Sequence, residues 1–236
     1  MLPEKKSEVK KEMWEYHWLV YGQPKVGKTT FVSEFNNPIF ICTEDRHKHL
    51  SLFKVPQEGA IKSWVEIIDV LKALKQSIQS GSFKHKTIVI DTVDNAYKFC
   101  VEYVLSKHNV AHESDMEWGK GYSFIRDEFF KVFSHLCSLG IAVVFIAHAE
   151  DKTVKTRALE ITKTMPSLPN IGRKVLLPLV DIIGYIGFDH KDESKRMLYL
   201  QGNESLEAGC ATNVTMPKVM PLDFKTIEKE FKKGVK

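Results

Sequence analysis

The chain has 236 residues, of which 43% are hydrophobic and 27% are charged, and this balance suits one α/β domain with a full core. The net charge of +4, from 34 lysine and arginine residues against 30 aspartate and glutamate residues, permits a nucleic-acid partner but does not establish one. The absence of any run of about eighteen apolar residues argues against a membrane span.

The N-terminal residues, Met1 to Glu12, are rich in lysine and glutamate and lack the apolar stretch of a secretory signal. We assign residues 1–15 to a charged tail and residues 16–236 to a single domain, because no linker or repeat divides the rest. The cysteines form no C-x-x-C pair, so we expect small buried side chains in a reduced, cytoplasmic protein. They are Cys42, Cys100, Cys137 and Cys210.

The strongest motif lies between a predicted strand over 16–21 and a predicted helix over 28–35. It reads Gly22-Gln23-Pro24-Lys25-Val26-Gly27-Lys28-Thr29-Thr30 and fits the phosphate-binding pattern G-x-x-x-x-G-K-[ST]. Its glycines let the backbone wrap around phosphates, with N–H groups pointing at the anion. In such a loop Lys28 reaches the β- and γ-phosphates and the Thr29 hydroxyl binds Mg²⁺. A glycine turn that fits by chance is the alternative, and the matching flanks argue against it.

A second motif supports the first. Residues 86–91 form an apolar run that ends in Asp91, as expected for a buried parallel strand. An acid at the end of such a strand is where a Walker B aspartate holds the magnesium shell. The alternative role for Asp91 is capping of the following helix.

The remaining pattern predicts strands alternating with helices, and therefore a mainly parallel sheet with flanking helices. A polar turn before residues 196–200 predicts a C-terminal β-hairpin with the last parallel strand. The other predicted strands are 38–43, 141–147 and 181–188, and the other predicted helices are 62–80, 95–108, 121–138 and 223–233.

Hydrolysis needs a group that orients the attacking water, and two acids compete for this role. Glu44 ends the second predicted strand, whereas Asp94 follows the Walker B strand and is favoured as a helix cap. We favour Glu44 over Asp94 as the catalytic acid. The alternative role of Glu44 is that of a surface acid. The nearby His47-Lys48-His49 has metal-ligating side chains, but we interpret it as solvated surface.

His148 follows the predicted strand 141–147. If that strand lies between the phosphate-loop strand and the Walker B strand, His148 faces the γ-phosphate and signals its presence to the segment behind it. The alternative is a polar strand end without a catalytic role.

Two segments, 108–120 and 150–173, carry no clear helix or strand pattern. Long irregular segments in a compact domain are usually functional or disordered, and these two follow the carboxyl edge of the sheet, where ligands bind in open α/β folds. The second segment is rich in cations that suit DNA phosphates.

The combined motifs resemble the RecA core, and in particular the short phage-encoded RecA-like ATPases that consist of the core alone, some of which are single-strand annealing recombinases. The resemblance rests on the phosphate loop, Cys42-Thr43-Glu44, Ile88-Val89-Ile90-Asp91-Thr92, Phe145-Ile146-Ala147-His148 and the closing segment 216–224. It spans about residues 16 to 231.

The resemblance implies a RecA-like P-loop NTPase that binds ATP and Mg²⁺. Lys28 and Thr29 would contact ATP·Mg, Asp91 the metal shell, Glu44 the attacking water and His148 the γ-phosphate. It also implies self-association into a ring or filament, a single-strand-binding protein as partner, and single-stranded DNA on the two irregular segments. The expected DNA contacts are Lys152, Lys155, Arg157, Lys163, Arg173, Lys174, Trp118 and Lys120.

The closing region departs from the family pattern. RecA-like filaments complete the site with a cation from the neighbouring subunit, but Ala211-Thr212-Asn213 offers none and Lys218 is the nearest candidate. A nucleotide-driven loader or adaptor with a protein partner therefore stays open as a second function. A small-molecule kinase is a third, weakened because 150–173 holds only two arginines.

Overall fold

The computed structural model describes residues 6–155, 160–211 and 214–235, without the side chain of Trp118. The described strands are β1 (Trp18–Gly22), β2 (Pro38–Cys42), β3 (Phe53–Val55), β4 (Thr87–Asp91), β5 (Ala142–Lys155), β6 (Glu160–Pro166), β7 (Ile182–Phe188), β8 (Arg196–Tyr199), β9 (Gly209–Cys210) and β10 (Val219–Pro221). The described α-helices are α1 (Lys28–Ser33), α2 (Trp64–Gln79), α3 (Val93–Lys107), α4 (Lys120–Cys137), α5 (Asn170–Leu176) and α6 (Phe224–Gly234). The predicted α/β class is confirmed.

The main sheet runs in the order β10-β8-β7-β1-β5-β4-β2-β3. Its strands from β7 to β3 are parallel, and the predicted hairpin adds antiparallel β8 beside β7. Strand β5 lies between β1 and β4, as expected, with His148 opposite Gly22 and Ile146 opposite Asp91. The residues at the carboxyl ends of these strands are therefore neighbours.

Each face of the sheet is covered by its own apolar layer. Helices α2 to α5 pack on one face, where Phe133 is fully buried against Phe145 of β5. Helices α1 and α6 pack on the other face, where Phe231 of α6 contacts Trp18 of β1. Burying a phenylalanine contributes about 1.5–3 kcal/mol, so both layers hold the central strands in place.

In its described residues, 150–155 and 160–173, the second segment is not irregular. Strand β5 continues to Lys155 and pairs antiparallel with β6, from Ala149 opposite Pro166 to Lys155 opposite Glu160, and α5 follows. We call β5 from Ala149 onward, together with β6, the ribbon. Its β-branched residues, such as Val154 and Ile161, favour strands, but the charged residues around them leave no apolar run in the sequence.

The other irregular segment and the N-terminal tail also hold structure. Residues 113–115 and 117–119 form 3-10 turns, and α4 begins at Lys120, inside the predicted irregular segment. Met13 lies within the segment assigned to the tail, yet it is fully buried, and its carbonyl accepts a 2.8 Å hydrogen bond from Trp18 Nε1. None of the helices in the described part of the chain is long and apolar enough to cross a membrane.

Candidate active site

The phosphate loop joins β1 to α1 and has the backbone that its glycines permit. Gly27 precedes α1 with φ of 100°, in the left-handed region that favours glycine. A Cβ on Gly22 would lie 2.3 Å from the Ile186 carbonyl oxygen, so only glycine lets β1 end this close to β7. Between them, Gln23, Pro24 and Lys25 are exposed while Val26 is buried.

Lys28 bonds to its own loop. Its Nζ donates to the carbonyl oxygens of Gly22 and Gln23, both at 2.9 Å. Burial lowers the pKa of Lys28, and the nearby acids Asp91, Asp94 and Glu44 oppose that shift. The lysine is therefore held at the loop, close to the acids of the neighbouring strands.

The two predicted metal-binding residues lie together. Thr29 Oγ1 donates a 2.7 Å hydrogen bond to Asp91 Oδ2. Hydroxyl and carboxylate oxygens suit Mg²⁺, which commonly takes one or two protein ligands and completes its shell with phosphate oxygens and water. The N-cap position of α3 belongs to Thr92 and the Asp91 carboxylate bonds to Thr29, so the alternative capping role of Asp91 is wrong.

His47 is a site residue that the sequence interpretation missed. Its side chain is 5% exposed, and its Nε2 lies 3.0 Å from Asp91 Oδ2, which raises the pKa of His47 to about 10. The interpretation of His47 as solvated surface is therefore wrong. Its position after β2 becomes informative only through the pairing of Cys42, at the end of β2, with Asp91.

Glu44 lies at the same edge with partial access to solvent. Its Oε1 accepts a 3.1 Å hydrogen bond from Asn95 Nδ2 and lies 4.0 Å from His148 Nε2, while its side chain stays 18% exposed. Arg46 Nε lies 3.6 Å from its Oε2. The carboxylate is thus fixed by an amide beside the phosphate loop and remains accessible to water.

The Asp94 carboxylate is hydrogen-bonded to His148. It accepts a 2.8 Å hydrogen bond from His148 Nδ1 and a 3.4 Å bond from the His148 backbone N–H. This hydrogen bond raises the pKa of His148, against the effect of burial. Because Asp94 lies inside α3, after the N-cap position at Thr92, and bonds to His148, it orients the histidine and is not the expected helix cap.

The predicted DNA-contacting cations lie apart from this cluster, and most are ion-paired. Lys152 pairs with Glu150 at 2.6 Å and Lys155 with Glu160 at 3.0 Å. Glu207 lies 3.8 Å from Lys163 and 3.9 Å from Arg173. Lys120 and Lys174 are exposed, whereas Arg157 and the side chain of Trp118 lie outside the described residues.

A cavity of about 650 Å³ lies between Asp94 and the ribbon. It is lined by Asp94 from the acidic cluster, by Glu150 and Lys152 from the ribbon, and by Tyr122 and Asn170 from α4 and α5. Asp94 is thus the member of the acidic cluster, and Lys152 the predicted DNA contact, that line this cavity.

Comparisons with known proteins place this site in a family. A family model described as an AAA domain matches residues 15–210. No curated protein sequence matches the chain. Among solved structures, the chain is similar to the KaiC-like protein PH0186 from the hyperthermophilic archaeon Pyrococcus horikoshii OT3, at 12% identity, covering 88% of this chain and 89% of that chain with a TM-score of 0.46. The family match includes the phosphate loop, Glu44, Asp91 and His148.

Proposed function

This chain belongs to the AAA domain family, and on that premise we propose that it is an ATPase acting on single-stranded DNA in recombination or annealing, like the phage-encoded group that its motifs resemble. The observation that carries the proposal is the position of His148, which bonds to Asp94 and directly precedes the ribbon. Because His148 also lies opposite Gly22 at the start of the phosphate loop, its position supports coupling between the proposed phosphate site and the expected DNA surface.

The site residues have distinct roles in hydrolysis. Lys28 exchanges its loop carbonyls for phosphate oxygens, and the loop N–H groups bind the anion. Thr29 and Asp91 hold Mg²⁺, which neutralises phosphate charge. Glu44, fixed by Asn95, accepts a hydrogen bond from water and orients it for attack.

Coupling to DNA passes through His148. Its backbone carbonyl accepts a 2.8 Å hydrogen bond from the backbone N–H of Ser167, which directly follows β6. The histidine therefore contacts the base of the ribbon, where the chain enters it and where the chain leaves it. A γ-phosphate contact that reorients the His148 ring would move the ribbon, and ATP and DNA would then each raise the affinity for the other.

Phosphate recognition by the ribbon is compatible with its ion pairs. Lys155 and Glu160 have side chains that are 82% and 60% exposed, and exposed pairs contribute only about 0–1 kcal/mol. A DNA phosphate can therefore displace the acid. Binding is sequence-tolerant and salt-dependent, because phosphate neutralisation releases counterions.

The test is fluorescence anisotropy with a labelled single-stranded oligonucleotide, with and without a slowly hydrolysed ATP analogue, together with ATP hydrolysis rates. We expect tighter DNA binding with the analogue and faster hydrolysis with DNA. Electron microscopy of the same mixtures checks for the ring or filament, and addition of a single-strand-binding protein checks that partner. A protein that hydrolyses ATP but binds no DNA in any nucleotide state contradicts the DNA role.

A nucleotide-driven loader or adaptor is the second candidate. Its supporting observation is that Lys152, Lys155, Lys163 and Arg173 already face acids of the same chain, which leaves less free charge for DNA. ATP binding without any DNA response favours this function.

A further inference from the structure

We propose that Arg196 contacts the phosphates of the nucleotide bound to its own chain, and so supplies from β8 a cation that residues 211–213 do not offer. The inference rests on the proposed ATP binding. It starts from the register of the sheet, which pairs Ile186 of β7 with Gly22 and Arg196 of β8 with Phe188. The first residue of β8 therefore lies at the same sheet edge as the phosphate loop.

The Arg196 side chain reaches across to the loop. A Cβ on Gly27 would lie 3.2 Å from Arg196 Nη1 and 3.9 Å from its Cδ, so the guanidinium lies against the loop backbone. The backbone around it is fixed, because the Arg196 carbonyl accepts a 2.9 Å hydrogen bond from Leu222 N. Leu222 itself would lie 3.8 Å from the same Cβ. Arg196 of β8 and Leu222, which follows β10, thus line this side of the loop.

The guanidinium is available for a ligand. Arg196 is exposed, and among the described residues no acid lies within ion-pair distance of it. Its neighbour Lys195, in contrast, pairs with Asp192 at 3.0 Å. The planar guanidinium of an arginine can donate two parallel hydrogen bonds to phosphate oxygens. An unpaired arginine beside a phosphate-binding loop is therefore suited to bind the nucleotide.

The charges around the loop support a cation on this side. On the opposite side, Lys28 is near Asp91, Asp94 and Glu44, and a bound nucleotide adds further negative charge. Arg196 lies on the β8 side of the loop, opposite those acids, where its charge offsets that of the phosphates. The sequence pattern missed this residue because its position depends on the hairpin register.

The test compares Arg196→Gln, Arg196→Lys and the matched control Lys195→Gln in the full chain. Calorimetry measures the Kd of ATP and of inorganic tripolyphosphate, which has no base, with Mg²⁺ present. We expect Arg196→Gln to raise the Kd of both ligands about 10- to 100-fold, as the loss of a charged hydrogen bond does. Arg196→Lys should restore part of the affinity, and Lys195→Gln should bind like the parent.

Three outcomes would overturn the inference. If the folded Arg196→Gln protein binds both ligands with unchanged affinity, Arg196 does not contact the phosphates, and the proposed function is unaffected. If the affinity falls for ATP but not for tripolyphosphate, Arg196 contacts another part of the nucleotide and not the phosphates. A parent chain that binds neither ligand contradicts the proposed function itself. Thermal melting of each variant confirms folding, and the exposed side chain makes a large change in Tm unexpected.

Discussion

At the scale of single residues, Lys28 offers the most direct test of the phosphate loop. Its only described hydrogen bonds go to two loop carbonyls, so its loss removes the phosphate cation without opening the core. We expect Lys28→Ala to weaken ATP binding at least 100-fold and to change Tm by no more than about 2 °C. Calorimetry and thermal melting measure both, with the exposed Lys229→Ala as control. Normal ATP affinity in the folded variant would contradict the phosphate-loop assignment.

The choice of catalytic acid is a second residue-scale question. We expect Glu44→Gln to bind ATP normally and to hydrolyse it about 100-fold more slowly, because the amide keeps the shape but loses the charge that orients water. Asp94→Asn should cause a smaller loss, since Asp94 acts through His148. Single-turnover hydrolysis rates measure the difference. If Asp94→Asn is the slower variant, the assignment of Glu44 is wrong.

At the scale of elements, the ribbon carries three of the expected DNA contacts, Lys152, Lys155 and Lys163. We expect the triple variant Lys152→Ala, Lys155→Ala, Arg157→Ala to weaken single-strand binding. It should also reduce the slope of log K against log salt by about 2, since each phosphate contact contributes about 0.7. Anisotropy titrations at several salt concentrations measure the slope.

The matched control for the ribbon is a triple variant of α6, Lys225→Ala, Lys229→Ala, Lys233→Ala, which removes the same charge from the helix layer that lacks the ribbon. It should bind DNA like the parent. If the two triple variants show equal slopes of log K against log salt, the ribbon is not the surface that contacts DNA.

Elements also show what the sequence could predict. The phosphate loop and the strand before Asp91 were predictable because local patterns define them. His47 and Arg196 were not, because their positions depend on which strands pair: β2 with β4, and β8 with β7. The ribbon was missed because its strands extend beyond the core and carry many charged residues, so no apolar run marks them.

At the scale of the whole molecule, the buried Met13 tests where the domain begins. It packs in the layer that contains Trp18 and Phe231, so we expect Met13→Ala to reduce the free energy of unfolding by about 2–5 kcal/mol. Val9, which is 48% exposed, is the control, and Val9→Ala should change stability by less than about 0.5 kcal/mol. Urea unfolding measures both. Equal stabilities would place Met13 in a dispensable tail.

The ends of the sheet limit how copies of this chain can join. The main sheet ends in β3 and β10, each only three residues long, and β10 contains Pro221, which has no N–H to donate. Such short edges are poor templates for strand addition. At β3 and β10, therefore, we expect copies in a ring or filament to meet through side-chain contacts between folded units and not by continuing the main sheet from one copy into the next.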